Sequence, residues 1–414
     1  MPPEAGMTHR FRVRPGERNV QHSSLSPRGF IIRHLIPLII CFVFTLHLPH
    51  NASAIETHSV VEFGADGVGD DTESLQKALD FAVANPCRLD FPASSYTVSR
   101  TLVIRNPGRT RTSGPIIEGR GAEATTIKFT GKSGPLFDIT GVIAAGQFLH
   151  DLSFERIKLV GSFRDREEHA IQMMGCYAPC VKNVSITGFG GDGIRVNGNL
   201  AIDSNPDFTA TIFLSIEGCF VSRIGGTGFV DNHPIGCPSV SIQRTVFNLC
   251  GTGGALIASA GFLIERTAFA ACGWTDEQTQ LNAEAIGLQI KTPGGSLTRG
   301  LLRGCEFDCN RGEHLRMDNF GMARLENNRF IYADRFSVGV LCPPIGANMA
   351  PLSAHSVLND IVIDGLFHRV DAPGDAIGIK WSNSANVDET SIEVVRNRVT
   401  NSGGAKFVPV EGTP

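Results

Sequence analysis

Aromatic residues are scarce in this chain of 414 residues, at 7% with only two Trp. The apolar run Leu35 to Leu46, 12 residues, is by itself too short to span a bilayer. Cys176 with Cys180 and Cys305 with Cys309 have no further Cys or His at zinc-like spacing, so the sequence supports no zinc site. No nucleotide, flavin or haem motif is present. Positive charge is also short beyond residue 54. Six of the 37 Lys+Arg and two of the 41 Asp+Glu precede that point, which leaves 31 against 39, a formal charge of -8. That balance argues against a nucleic-acid partner.

Glycine is plentiful, at 46, beside 42% hydrophobic residues, a mixture that suits many short strands and turns better than long helices. The class expected is all-β. The N-terminus carries Arg10, Arg12, Arg14, Arg18, Arg28 and Arg33, then the apolar run, then Ala52-Ser53-Ala54. This order reads as an export signal over 1–54, giving a secreted or periplasmic protein, with an uncut membrane anchor as the alternative. No other membrane contact is expected.

From Leu152 onward the sequence repeats. Segments such as "VKNVSITGFGGDGIRVNG" from Val181 and "VSIQRTVFNLCGTGGALIAS" from Val240 each pair two short apolar strands across a polar or Gly turn. Matching apolar markers are Leu159, Ile186, Val221, Phe247, Phe269, Phe307, Phe330, Ile363 and Val399. A short, variable period of strand units is the mark of a solenoid with loop insertions, and the architecture it predicts is a parallel β-helix of about ten coils over 55–414. Residues 55–130 would form the N-terminal cap and first coils, and 131–412 the main coils. An open helix end exposes strand edges, so it needs a cover. "DDTESLQKALDFAVAN" supplies one: Asp70 and Glu73 start a helix in the manner of a capping box, Leu75, Ala78, Leu79 and Ala82 form its apolar stripe, and Asn85-Pro86 ends it. Asp66, Asp70 and Asp71 are expected to serve the turn and cap, with a calcium loop as the alternative.

"VEFGADGVGDDTESLQKALDFA", with "RLDFPASSYTVSRTLVI" and "IIEGRGAEATTIKF" after it, resembles the opening of the pectate-lyase-like superfamily, in particular its rhamnogalacturonase/epimerase-like pectate lyase domain. The resemblance covers Val61 to about Phe129. It implies a right-handed parallel β-helix that acts on polysaccharide as a lyase, epimerase, hydrolase or tailspike depolymerase, and does not select among these. The Asn-Thr-Asp, Gly-His-Gly and Arg-Ile-Lys signatures of polygalacturonases are missing. Resemblance to pectate lyases brings in calcium, but no set of oxygen ligands can be assembled, so no metal ligand or cofactor is assigned.

Cys250 and Cys272 follow Phe247 and Phe269 by three residues, while Cys219 and Cys305 precede their markers by two. The spacing favours a ladder of interior thiols over disulfides. Alternation along the second strand of each coil then places Arg195 and Asn197 outward, Asp231 and His233 at or beyond a strand end, Gln289 beside Arg316, Lys291 beside Asp318, Gly339 on the far side of Arg316, and Lys380 farther along. A cationic row on an acidic protein fits an anionic chain such as a polyuronate. β-Elimination at a uronate needs a cation for the carboxylate, a base for the C5 proton and an acid for the leaving oxygen. Arg316 and Lys291 are the candidates for the first two, His314 for acid or base, and Asp318 for the same face; Arg195, Asn197, Asp231, His233, Gln289 and Lys380 are candidates for substrate binding. An ordinary solvated surface is the alternative for these residues. The expected function is action on an acidic polysaccharide by elimination or C5 epimerisation, with a glycoside hydrolase or a non-catalytic polysaccharide-binding scaffold as alternatives; oligomeric state is left open.

Overall fold

The structure, a computed structural model, describes residues 55–109, 111–141, 147–163, 165–197, 210–231, 237–259, 261–274, 282, 285–291, 299–318, 322–333, 338–342, 361–370, 377–381, 392–394 and 398–400. The export segment expected over 1–54 and His233 lie outside them.

The chain winds as a right-handed parallel β-helix. Among the described residues, each main coil gives two strands to a 21-stranded parallel sheet and one to a ten-stranded parallel sheet. A third sheet of three strands, Arg111–Ser113, Phe148–His150 and Cys176–Tyr177, follows the ten-stranded sheet in the early coils. Between its two strands in the large sheet the chain turns on a single left-handed residue: Arg156, Asn183, Gly218, Arg244, Arg266, Gly304 and Asn327 in successive coils. Left-handed backbone is costly for residues other than glycine. The corner offsets the cost with a hydrogen bond to the next coil, as from Asn183 N–H to the Glu217 carbonyl at 2.8 Å and from Arg244 N–H to the Glu265 carbonyl at 3.0 Å.

Register is set by inward columns of apolar side chains. The expected markers Leu159, Ile186, Val221, Phe247, Phe269, Phe307 and Phe330 stand directly above one another. Four of them stack face to face, with centroids 5.4, 5.1 and 4.9 Å apart from Phe247 to Phe330. Burying each ring fully is worth about 1.5–3 kcal/mol, so the column is a main support of the coil stack. The eighth marker requires correction: Phe330 pairs with Phe367, and Ile363 pairs with Leu325 in the other inward column. The single strand Ile361–Val370 runs through the corner at which earlier coils bend, so both residues lie on one strand.

Cys176, Cys219, Cys237, Cys250, Cys272 and Cys305 are buried, as expected for an interior ladder. Desolvation pushes the thiols of Cys176, Cys219 and Cys305 up to about 12.

The helix Thr72–Ala84 buries Leu75, Ala78, Leu79, Ala82 and Val83 over the first coil, the expected stripe and one residue more. Its start differs from the expected capping box, since the N-cap Asp71 makes no side-chain cap bond and Glu73 pairs with Arg100. Asp70 instead accepts from Thr72 N–H at 3.0 Å and from the Ser99 hydroxyl at 2.6 Å, while Asp71 accepts from Gly67 and Thr97 N–H at 3.1 Å each. Asp66 accepts from Val68 N–H at 2.9 Å. The three carboxylates tie the turn to the first coil, the duty expected in preference to a calcium loop.

Candidate functional site

The ten-stranded sheet brings together most of the residues singled out in the sequence. Because successive strands pair in register, its outward positions form two columns. One passes through Asp138, Gln172, Arg195, Val230, Leu256, Gln289, Arg316 and Gly339; the other includes Lys291, Asp318, Leu341 and Lys380. Gln289 therefore adjoins Arg316, Lys291 adjoins Asp318, and Gly339 follows Arg316, as alternation predicted. Lys380 stands two strands beyond Asp318 in the same column.

Two polar stations result. At the first, Lys291 is exposed and Gln289 and Arg316 are half-buried. The Arg316 guanidinium lies 4.0 Å from the Glu313 carboxylate, a neighbour that strand alternation could not place because Glu313 precedes the strand Leu315–Asp318. The second station is four strands away, ~19 Å at the usual spacing of adjacent strands. There Arg195 donates from Nη1 to Asp192 at 2.9 Å and from Nε to Asn197 at 2.8 Å. Asp192 is 7% exposed; its other oxygen accepts from Thr227 N–H at 2.9 Å. The guanidinium is thus held by two partners before any ligand arrives, which lowers the ordering cost of binding an anion. On adjacent strands, Gln172 donates to Asp138 at 3.3 Å and Arg105 lies 3.6 Å from the same carboxylate.

His169 and Asp192 are the residues the sequence reasoning missed. His169 is 2% exposed, and its Nδ1 accepts the Asp192 backbone N–H at 2.8 Å. That bond leaves the ring proton on Nε2, 3.7 Å from the Glu167 carboxylate. Burial pushes the His169 pKa below its ordinary value, against the pull of the Asp192 carboxylate. Both residues sit in turns that lead into strands, where periodicity carries no signal. The one clue was Asp192 three residues before the candidate Arg195.

Two candidates do not face the groove. His314 was expected to share the outward face with Arg316 and Asp318, but it is fully buried. The pairing of Leu288 with Leu315 puts His314 in the column of Ala170, Gly193, Gly228, Gly254 and Gly287, all buried. At this corner two consecutive residues turn inward, so alternation fails one position before the strand. Crowding explains the glycines: a Cβ on Gly287 would stand 2.6 Å from the His314 carbonyl oxygen and 2.7 Å from the Asn310 amide nitrogen. His314 follows Gly287 in that column, with its Nδ1 2.9 Å from the Asn310 amide and its ring beside the stacked pair Phe307 and Phe330, 6.1 and 6.2 Å from their centroids. Desolvation lowers its pKa to about 4. Asp231 likewise lies in the inward column between Val196 and Ile257, 1% exposed, and accepts Cys237 N–H at 2.6 Å. Phe229 faces in and Val230 out, so Asp231 faces in again, and its carboxylate closes a loop instead of meeting substrate.

What remains outward is a polar and cationic face that carries Lys291, Gln289 and the Arg195 and Arg316 guanidinium groups.

No family model matches the sequence, and no curated relative matches it. Solved structures do share the fold. The A-module of mannuronan C-5 epimerase AlgE4 from Azotobacter vinelandii superposes with a TM-score of 0.53 at 16% identity over 85% of this chain and all of that one. The Agl-KA catalytic domain gives 0.53 at 16% identity, covering 85% of this chain and 69% of its own. The Streptococcus pneumoniae surface protein and adhesin PfbA gives 0.52 at 13% identity, over 85% and 99%. At these identities the likeness shows the fold alone: the chain is a right-handed parallel β-helix.

Proposed function

We propose that the outward face of the ten-stranded sheet binds an acidic polysaccharide, and that the chain acts on a uronate unit there by β-elimination or C5 epimerisation. The observation that carries this reading is the register of Gln289 with Arg316 and of Lys291 with Asp318 on adjacent strands. In the proposed reaction the Arg316 guanidinium pairs with the uronate carboxylate and offsets the charge that develops when C5 loses its proton. Lys291 Nζ takes that proton. Expelling the C4 glycosidic oxygen, which takes up a proton, then yields an unsaturated end, whereas reprotonation of C5 from the opposite face yields the epimer. Gln289 would hold a neighbouring hydroxyl, and Arg195 with Asn197 a second acidic unit along the chain. Two of the fold's solved relatives carry names that bear on this reading, a mannuronan C-5 epimerase and an adhesin. The arginine-rich N-terminus, its apolar run and Ala52-Ser53-Ala54 support export.

The test is ultraviolet absorbance of unsaturated uronic ends during incubation with alginate, polygalacturonate and related acidic polysaccharides. A rise that Arg316→Ala abolishes is the result expected of a lyase. Altered uronate composition without new ends would identify an epimerase. New reducing ends with no absorbance change would mean hydrolysis and overturn the mechanism, and retention of the polymer without chemical change would leave a binding protein.

A further inference from the structure

Three aromatic side chains climb the outside of consecutive coils beside the proposed groove. His150 and Tyr177 are register partners in the three-stranded sheet, with ring centroids 4.9 Å apart and planes inclined by 37°. Ile212 bridges to Tyr177 in the next coil, and Phe213 sets its ring 5.5 Å from that of Tyr177 at 82°. None belongs to the core: His150 and Tyr177 are half-buried and Phe213 is 48% exposed.

Phe213 is the informative residue. Its backbone is left-handed, φ 57°, at the corner that Asp151, Ala178 and Ser239 occupy in neighbouring coils. A large apolar side chain gains little from such a corner, where the backbone conformation disfavours it and 48% of its surface stays exposed. Retaining a ring there, set edge-on against Tyr177 at 82°, has a physical rationale if the ladder receives a ligand. The ladder also continues the charged face: the strand Ile171–Met174 carries Gln172 beside Arg195, and after Gly175 the chain enters Cys176–Tyr177.

We infer that Phe213, Tyr177 and His150 form a stacking subsite for sugar rings of the polysaccharide whose acidic groups meet Arg195. The inference rests on the proposed reading of the charged face and adds a second kind of contact to it. The negative face of an aromatic ring attracts the weakly positive C–H groups on the apolar side of a pyranose. The ladder rises one ring per coil, about one pyranose length at the ~4.8 Å coil spacing.

Affinity electrophoresis of the full chain through gels containing polygalacturonate or alginate tests this, at low and at high salt. Phe213→Gly should weaken retardation by roughly 2- to 10-fold, and the loss should persist at high salt, where the Arg195 contribution is screened. Phe213→Tyr should restore it. The melting temperature of Phe213→Gly should hold or rise, because glycine relieves the left-handed corner. Wild-type retardation in Phe213→Gly, beside weakened binding in Arg195→Ala, would overturn the subsite and leave the charged groove standing. A large fall in melting temperature would assign the ring a structural role and overturn it as well. If the wild-type chain is retarded by neither polymer, both readings fall.

Discussion

The ring of His314 lies inside the coil stack with Nδ1 2.9 Å from the side-chain amide of Asn310, in the column that runs through Ala170, Gly193, Gly228, Gly254 and Gly287. The amide donates and the neutral imidazole accepts, so protonation both charges a buried ring and removes its acceptor.

A pH dependence of stability follows. The folded pKa of about 4 lies below the ordinary 6.5, so between these values the unfolded chain binds the proton and the folded chain does not. The stabilising difference is complete above pH 6.5, declines as pH falls through this window, and by pH 4 has cost on the order of 3 kcal/mol. His169, also lowered by burial, acts in the same direction. Chemical denaturation from pH 7 to 4 should show a shallower fall for His314→Gln than for wild type; parallel curves would contradict the assignment.

Asp192 and Arg195 should be energetically coupled. Asp192→Ala removes the acceptor of Arg195 Nη1 and of Thr227 N–H, and should destabilise the chain by about 1–3 kcal/mol. Arg195→Ala should then cost less in that background than in wild type, with a coupling of about 0.5–3 kcal/mol in a double-mutant cycle by urea denaturation. Additive effects would show that the arginine is not held by this carboxylate.

The parts of the site legible in the sequence are those that lie within strands. Alternation places Gln289, Lys291, Arg316 and Gly339 because each is flanked by inward apolar residues such as Leu288, Ile290, Leu315 and Met317. It misplaces His314 because the corner turns two successive residues inward; Asp231 stands at the strand end as expected, but alternation after Phe229 and Val230 turns it inward. The glycines at 193, 228, 254 and 287 did carry the missing information: four small residues in one column mark a crowded inward position, and the residue that follows them in register inherits it. His169 and Asp192 left no periodic trace, since turns bring them together. The capping helix was legible through its stripe, whereas the details of its first turn were not, because Asp71 reaches Thr97 in the first coil instead of capping the helix and Asp70 divides its carboxylate between Thr72 N–H and Ser99.

Thiol labelling should follow burial. Cys309 is exposed, whereas Cys250 and Cys272 are both fully buried one coil apart, where contact with the Cys272 thiol and burial hold the Cys250 thiol well above its ordinary range. Since the thiolate is the reactive species, peptide mapping after brief iodoacetamide treatment should find Cys309 modified ahead of Cys176, Cys250 and Cys272. Early modification of Cys250 in the native chain would refute the interior ladder.

The phenylalanine stack offers a test of how the coils support one another. Phe269 lies between Phe247 and Phe307 with centroids 5.4 and 5.1 Å away, so Phe269→Ala opens a cavity against two rings. A loss of about 3–5 kcal/mol is expected, typical of a buried aromatic removed from a rigid core. Phe269→Leu should cost less, since it retains most of the volume. Phe220 is 46% exposed on the outside of the sheet two coils away, and Phe220→Ala should change stability by no more than ~0.5 kcal/mol. Urea midpoints for the three variants check the order. In a solenoid each coil relies on the coils beside it, so the Phe269→Ala loss should spread to adjacent coils as faster hydrogen exchange at Phe247 and Phe307. Protection lost at Phe269 alone would mean that the coils are stabilised independently of the ring stack.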